Sequence, residues 1–445
     1  MGPVPCRWKG TCMKSYYFYS SNCNRKIIGA RHYPDPQGDS EYETPRDKNG
    51  HGTHVASTAA GATVPGASYY GVAAGTAQSG SPKSLLAIYK VCFKYECPGS
   101  AVLAAFDDAI ADGVDVISLS VASLSELKYN PIAIGAFHAV ERGILVVASA
   151  GNNGPSLNTV VKDYPLIYSE SAQAKDAKLS DARQCFPYSL DKVKGKIVVC
   201  DGKDHSCNYF KSSGCARVSV IDFKPAPMMP SFAAKGPSAI SKNILKPEIT
   251  APGVNILAAW IGNDKEGVPK GKKPSQFNIK SGTSMACSHV SGLAATIKSQ
   301  NPTWSASAIK SATMATVTQE NNLKAPITTD KGSVATPYDY GAGQMTIYGA
   351  FHPGLVYETN TIDYLNYLCY VGFNITLVKT ISRNAPNNLS CPKHSSSHHI
   401  SNINYPSIAI SDLKGKELVD VNITVTNVGE EDETLYSPVV DAPIG

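Results

Sequence analysis

LLAIYKV (residues 85–91), VDVISLSV (114–121) and GILVVASA (143–150) are apolar, β-branched runs of strand length. Between them lie AVLAAFDDAIADG (101–113) and PIAIGAFHAVERG (131–143), each with helical periodicity and a closing glycine. Strand, helix, strand, helix, strand predicts parallel strands joined by right-handed crossovers and buried on both faces. The fold class is therefore an α/β layer, whose ligand sites fall beyond the carboxyl ends of the strands.

The whole chain has 445 residues, enough for two or three domains. It is 42% hydrophobic and 17% charged, which fits a folded protein rather than a disordered one. The net charge of +5 comes with no Lys/Arg block, so nucleic acid is not an expected partner. The apolar runs are short and interrupted, so no membrane partner is expected either. Twelve cysteines include the close pairs Cys12 and Cys23, Cys92 and Cys97, and Cys369 and Cys391. With glycosylation sequons at Asn374, Asn388 and Asn422, they point to an oxidising, extracellular setting. The opening MGPVPCRWKGTC has no hydrophobic region of the kind a signal peptide needs.

Three further stretches carry chemistry. SGTSMACSHVSGLAATIK (281–298) begins an amphipathic helix at Thr283 and Ser284, where a hydroxyl either caps the helix or acts as a nucleophile in its positive field. RDKNGHGTHVASTAAG (46–61) places His51 between glycines at a loop-to-helix junction, with room for close approach. A zinc pair of His51 and His54 lacks the Glu and the spacing of four that metalloproteases use, so no metal or other cofactor is expected, and His54 reads as a packing residue. VVASAGNNGP (146–155) ends a parallel strand at Asn152, whose carboxamide could donate to a developing oxyanion, while Asn153 reads as turn chemistry.

Taken together and in order, GHGTHVAS (50–57), ASAGNNGP (148–155) and SGTSMACSHVSG (281–292) resemble the subtilisin-like serine proteases, the subtilases. RWKGTC (7–12), CNRKIIGAR (23–31), ILKPEITAPGVNILAAW (244–260) and PGLVYETNTIDYLNYLC (353–369) look like its plant, cucumisin-like branch. The resemblance implies a serine endopeptidase acting on peptide or protein substrates, secreted to the cell wall or apoplast. Ser284 matches the nucleophile, His51 the general base and Asn152 the oxyanion-hole side chain. Ser118, Leu119 and Ser120 match the segment that pairs with substrate backbone.

It further implies a catalytic core over residues 1–159 and 228–357, with a protease-associated insertion matching 160–227. A connecting segment would span 358–403, and a partial fibronectin-III-like β-sandwich 404–445. LVDVNITVTNVG (418–429) alternates like a half-buried strand of that sandwich.

The chain departs from the family pattern at two places. The triad aspartate belongs to a segment resembling DTGIWPES ahead of the RWKGTC-like stretch, and no such segment is found. Asp35, Asp39 and Asp47 precede His51 but stand in no matching motif. VVKDYPLIYSE (160–170) follows the Asn152 region where the family continues through another strand. Ser288 and Lys235 replace a usual proline and arginine. A catalytically impaired, peptide-binding pseudoprotease is the alternative expectation.

Overall fold

The computed structural model describes residues 2–36, 38, 43–94, 96–121, 127–157, 222–262, 268–269, 271–392, 397–431 and 434–440. The expected insertion at 160–227, with its strands at 195–200 and 216–223, lies outside the described residues apart from 222–227.

The elements that position the site are β1 (Ile27–His32), α1 (His51–Ala60), β2 (Val64–Tyr69), β3 (Val72–Ala77) and β4 (Leu86–Lys90). They are followed by α2 (Gly99–Asp112), β5 (Val116–Leu119), α3 (Pro131–Glu141) and β6 (Leu145–Ala148). After the undescribed segment come β7 (Ile256–Ala259), β8 (Phe277–Lys280), α4 (Thr283–Gln300) and α5 (Ala306–Ala315). β9 (Leu355–Tyr357), α6 (Thr361–Tyr370), α7 (Ile375–Ile381) and β10 (Val425–Asn427) lie further along the chain.

The expected order strand, helix, strand, helix, strand is observed, and its last two strands pair in parallel. β5 and β6 pair in parallel, with Val116 opposite Leu145 and Leu119 opposite Ala148. Alternate residues of these strands face two helical layers, as the period of two requires. Ile117, Leu119 and Val146 pack on Val102, Phe106 and Ala139 of α2 and α3. Val116, Leu145 and Val147 pack instead on Leu293, Ile297 and Ile309 of α4 and α5. α3 can approach α2 because residue 135 is glycine: a Cβ there would lie 2.3 Å from Phe106 Cδ2.

β4 is the next strand under the same α2–α3 layer, yet it pairs in parallel with β1 rather than with β5. Among the described residues β4 and β5 are each hydrogen-bonded along one edge only. Neither contains a fully buried residue, although both read as strands covered on two faces. The β1–β4 pair is tied to α2 by one buried carboxylate. Asp112 accepts Arg31 Nε at 2.9 Å and Arg31 Nη2 at 2.6 Å, and Tyr89 donates its hydroxyl to it at 2.8 Å.

Three elements differ from the sequence reading or were absent from it. β2 and β3 form an antiparallel hairpin, and β7 pairs antiparallel with β8. The stretch 418–429 is strand only over β10, paired antiparallel with β9. β10 itself is exposed, while Val419, Val421 and Ile423 ahead of it are partly buried and alternate with exposed residues, as expected. The three close cysteine pairs are disulfides, while Cys6 is free and exposed and Cys287 free and buried. No helix among the described residues is long and apolar enough to cross a membrane.

Candidate active site

Ser284 is the second residue of α4 and is buried, with 9% of its surface exposed. It does not cap the helix. The residue in the cap position is Gly282, which offers no side chain. Asn152 fills the role instead: its Oδ1 accepts Thr283 N–H at 2.9 Å and the Thr283 hydroxyl at 2.9 Å. Gly151 N–H donates to Thr283 Oγ1 at 3.2 Å, so the turn after β6 is pinned to the start of α4. With Oδ1 committed to α4, the amide end of Asn152 is the donor left for a bound group. No hydrogen bond among the described residues engages Ser284 Oγ, and its carbonyl accepts the hydroxyls of Ser120 at 3.1 Å and Ser288 at 2.9 Å.

Of the expected substrate-pairing segment, Ser120 therefore touches Ser284, while Ser118 and Leu119 lie within β5. Ser118 Oγ is 2.8 Å from Ser291 Oγ of α4, and Leu119 gives its carbonyl to Ser149 N–H at 3.1 Å.

His51 is the first residue of α1, half-buried, and α1 runs beside α4 in the same direction. Near the far end, the Ala59 carbonyl lies against Gly292, where a Cβ would sit 2.6 Å from it and 2.7 Å from Gly80 Cα. Near the start, Gly282 N–H donates to Gly253 O at 2.8 Å, and three residues on, Ile256 O meets His54 Nε2 at 3.0 Å. His51 and Ser284 each stand eight residues before the Ala59–Gly292 contact. At about 1.5 Å of rise per residue each lies about 12 Å along its own helix from that contact. The structure thus brings Asn152 to the first turn of α4 beside Ser284, and His51 opens the helix packed against α4. Among the described residues no hydrogen bond joins the His51 ring to Ser284 Oγ. Such bonds are often long without substrate and tighten in the complex.

Burial lowers the His51 pKa, the charge of Asp47 opposes that shift, and Lys280 adds to it. Its imidazole is therefore neutral at neutral pH and able to take a proton. Among the described residues no carboxylate is hydrogen-bonded to the ring. His54, by contrast, is wholly enclosed and stacks edge-on against Trp260 at 6.1 Å. Burial lowers its pKa to about 4, which is the behaviour of a packing residue.

Sequence reasoning missed the parts that hold this site together. Gly50 takes a left-handed φ of 97° against Trp260, and Thr283 is the residue that Asn152 grips. The repeated glycines around His51 were the available signal for the first; nothing local marks the second.

Comparison with known proteins gives a consistent result. The model of the Subtilase family matches residues 14–343. The CO(2)-response secreted protease of Arabidopsis thaliana is 47% identical over 550 aligned positions, covering 100% of this chain and 71% of that protein. Subtilisin-like protease SBT5.1 of the same plant is 44% identical over 555 positions, with the same coverage of each chain. The first alignment is longer than the chain, so at least 105 of its positions have no residue here. Among solved structures, sphericase aligns with a TM-score of 0.40 and 24% identity, covering 69% of this chain and 80% of its own. The chain belongs to the subtilase family, whose members are serine endopeptidases with a subtilisin-like α/β fold.

Proposed function

We propose that this protein hydrolyses peptide bonds through an acyl-enzyme on Ser284. The observation that carries the reading is the grip of Asn152 on the first turn of α4, which sets a carboxamide beside a serine whose hydroxyl is uncommitted. In the first step His51 takes the hydroxyl proton as Ser284 Oγ bonds to the substrate carbonyl carbon. The oxyanion is met by Asn152 Nδ2 and the Ser284 backbone N–H, both in the positive field of a helix start. The proton then passes from His51 to the departing amine, and water releases the acyl group by the same route. Ser120 is bonded to the nucleophile's own carbonyl, and with Ser118 and Leu119 before it at the end of β5 it forms the segment that would pair with substrate backbone in this reading.

A second reading, a peptide-binding protein of low turnover, is favoured by the lack of a carboxylate on the His51 ring among the described residues. A ring without that partner costs about 10⁴-fold in kcat. Extracellular residence and glycosylation accompany the main reading: the three disulfides suit an oxidising compartment, and Asn374, Asn388 and Asn422 are all exposed.

Labelling with a fluorophosphonate, followed by mass mapping, tests the proposal. A covalent mark on Ser284 that disappears in Ser284→Ala is the expected result. Peptide binding without any mark would replace it with the second reading.

A further inference from the structure

Asp47 lies four residues before His51, and its carboxylate is fully engaged. Oδ1 accepts the backbone N–H groups of Asn49 at 2.9 Å and Gly50 at 2.8 Å. Oδ2 accepts Thr53 N–H at 2.7 Å and the Thr53 hydroxyl at 2.7 Å. Thr53 is the third residue of α1, whose N-cap position is held by Gly50, a residue with no side chain to offer. Asp47 therefore does the capping from outside the helix, satisfying an amide that would otherwise be open and placing negative charge at the positive end of α1. The turn it closes cannot be closed by a bulkier cap: a Cβ on residue 50 would lie 2.5 Å from the Trp260 ring.

The approach to this turn is braced as well. Lys90 Nζ of β4 donates to the carbonyls of Thr44 at 2.9 Å and Arg46 at 3.1 Å. Burial alone would raise the Asp47 pKa, but the bonds from Gly50, Thr53 and Asn49 hold it below the ordinary carboxylate value.

We propose that Asp47 is a positioning residue for His51. Its carboxylate closes the turn that presents the imidazole and supplies the fixed negative charge that faces the imidazolium. Asp47 touches neither the ring nor the substrate and accepts no proton in the reaction. The other groups bearing on the pair are His54 on α1, Lys280 at the end of β8, and Lys48 and Lys90 beside Asp47. Lys280 opposes the imidazolium, so Asp47 is what offsets it. This inference rests on His51 being the general base, but its test does not depend on turnover.

The test is the titration of His51, followed by NMR of the imidazole carbons, in the wild type, Asp47→Asn and Asp47→Glu. The fluorophosphonate labelling rate is measured alongside across pH. Asp47→Asn is expected to lower the His51 midpoint by about half a pH unit, to shift the acid limb of the labelling profile equally, and to slow labelling at least tenfold. Asp47→Glu keeps the charge and should hold the midpoint near the wild-type value while labelling slows several-fold. An unchanged midpoint in a folded Asp47→Asn protein overturns the proposal. Should that variant not fold, wild-type labelling by Asp47→Glu overturns the positioning role. Wild-type protein that takes no label would sink the protease reading while leaving the midpoints to judge Asp47.

Discussion

Asn152 shows how much one side chain can decide. Its Oδ1 holds both donors of Thr283, so replacing it loosens the turn after β6 and, in the proposed mechanism, also removes an oxyanion donor. Asn152→Ala is expected to lower kcat by about 10²–10³ with a smaller change in KM, read from peptide hydrolysis, because the lost donor acts mainly on the transition state. His54 makes a prediction of the opposite kind, about stability. Its folded pKa of about 4 lies below the unfolded value of 6.5. As pH falls the unfolded chain therefore takes the proton first. Stability is kept above pH 6.5 and lost progressively as pH drops toward 4, by roughly 2–3 kcal/mol. Thermal melts between pH 7 and pH 4 should show that decline. In a His54→Gln variant the curve should start lower and fall less steeply. His54 was readable as a packing residue from its helical phase, whereas Asn152's grip on Thr283 was not, because its partner is 131 positions away.

At the scale of elements, strands announced themselves where apolar, β-branched runs were continuous. β4, β5 and β6 were legible for that reason. The β2–β3 hairpin was not: VPGASY and VAAGTA are built of small residues, and much of their surface is exposed, so no apolar alternation marks them. The 418–429 stretch was legible in part. Val419, Val421 and Ile423 are partly buried and alternate with exposed neighbours, but only 425–427 pair as a strand, because alternation shows which residues share a face and not where a partner strand meets them. Packing between elements turns on positions with no sequence signature at all. Asp112 joins β1, β4 and α2 with an Arg31 fork and a tyrosine hydroxyl. Asp112→Ala leaves the half-buried Arg31 guanidinium with only Asp108, at 3.7 Å, and should cost about 2–4 kcal/mol in urea unfolding. Gly292→Ala tests the close packing of α1 on α4, the two helices that open at His51 and Thr283. Its Cβ would meet backbone atoms of Ala59 and Gly80, which cannot swing aside, so a loss of about 1–3 kcal/mol is expected together with slower labelling of Ser284.

Across the whole molecule the active-site elements are better buttressed than the sheet that carries them. α4 is enclosed by α1, α5 and the β5–β6 pair, and Ile297 and Ala294 are almost without exposure. At the far side, Glu248 accepts Lys310 Nζ at 3.2 Å and the Tyr405 hydroxyl at 2.8 Å, tying the segment after α7 to α5. The two parallel pairs, β1–β4 and β5–β6, lie under one helical layer without bonding to each other among the described residues. Parallel strands place amides on both edges, and buried amides need partners, so among the described residues the unpaired edges of β4 and β5 are the least supported part of the sheet. Hydrogen exchange followed by mass spectrometry should therefore divide the molecule in two. Peptides covering α4 should exchange on the global unfolding timescale, and roughly half the amides of 86–90 and 116–119 should exchange orders of magnitude faster. Uniformly slow exchange across both strands would mean that another segment is hydrogen-bonded between them in solution. In that case the sheet beneath the site would be continuous from β1 to β6, and the burial that both strands lack here would be restored on their inner edges.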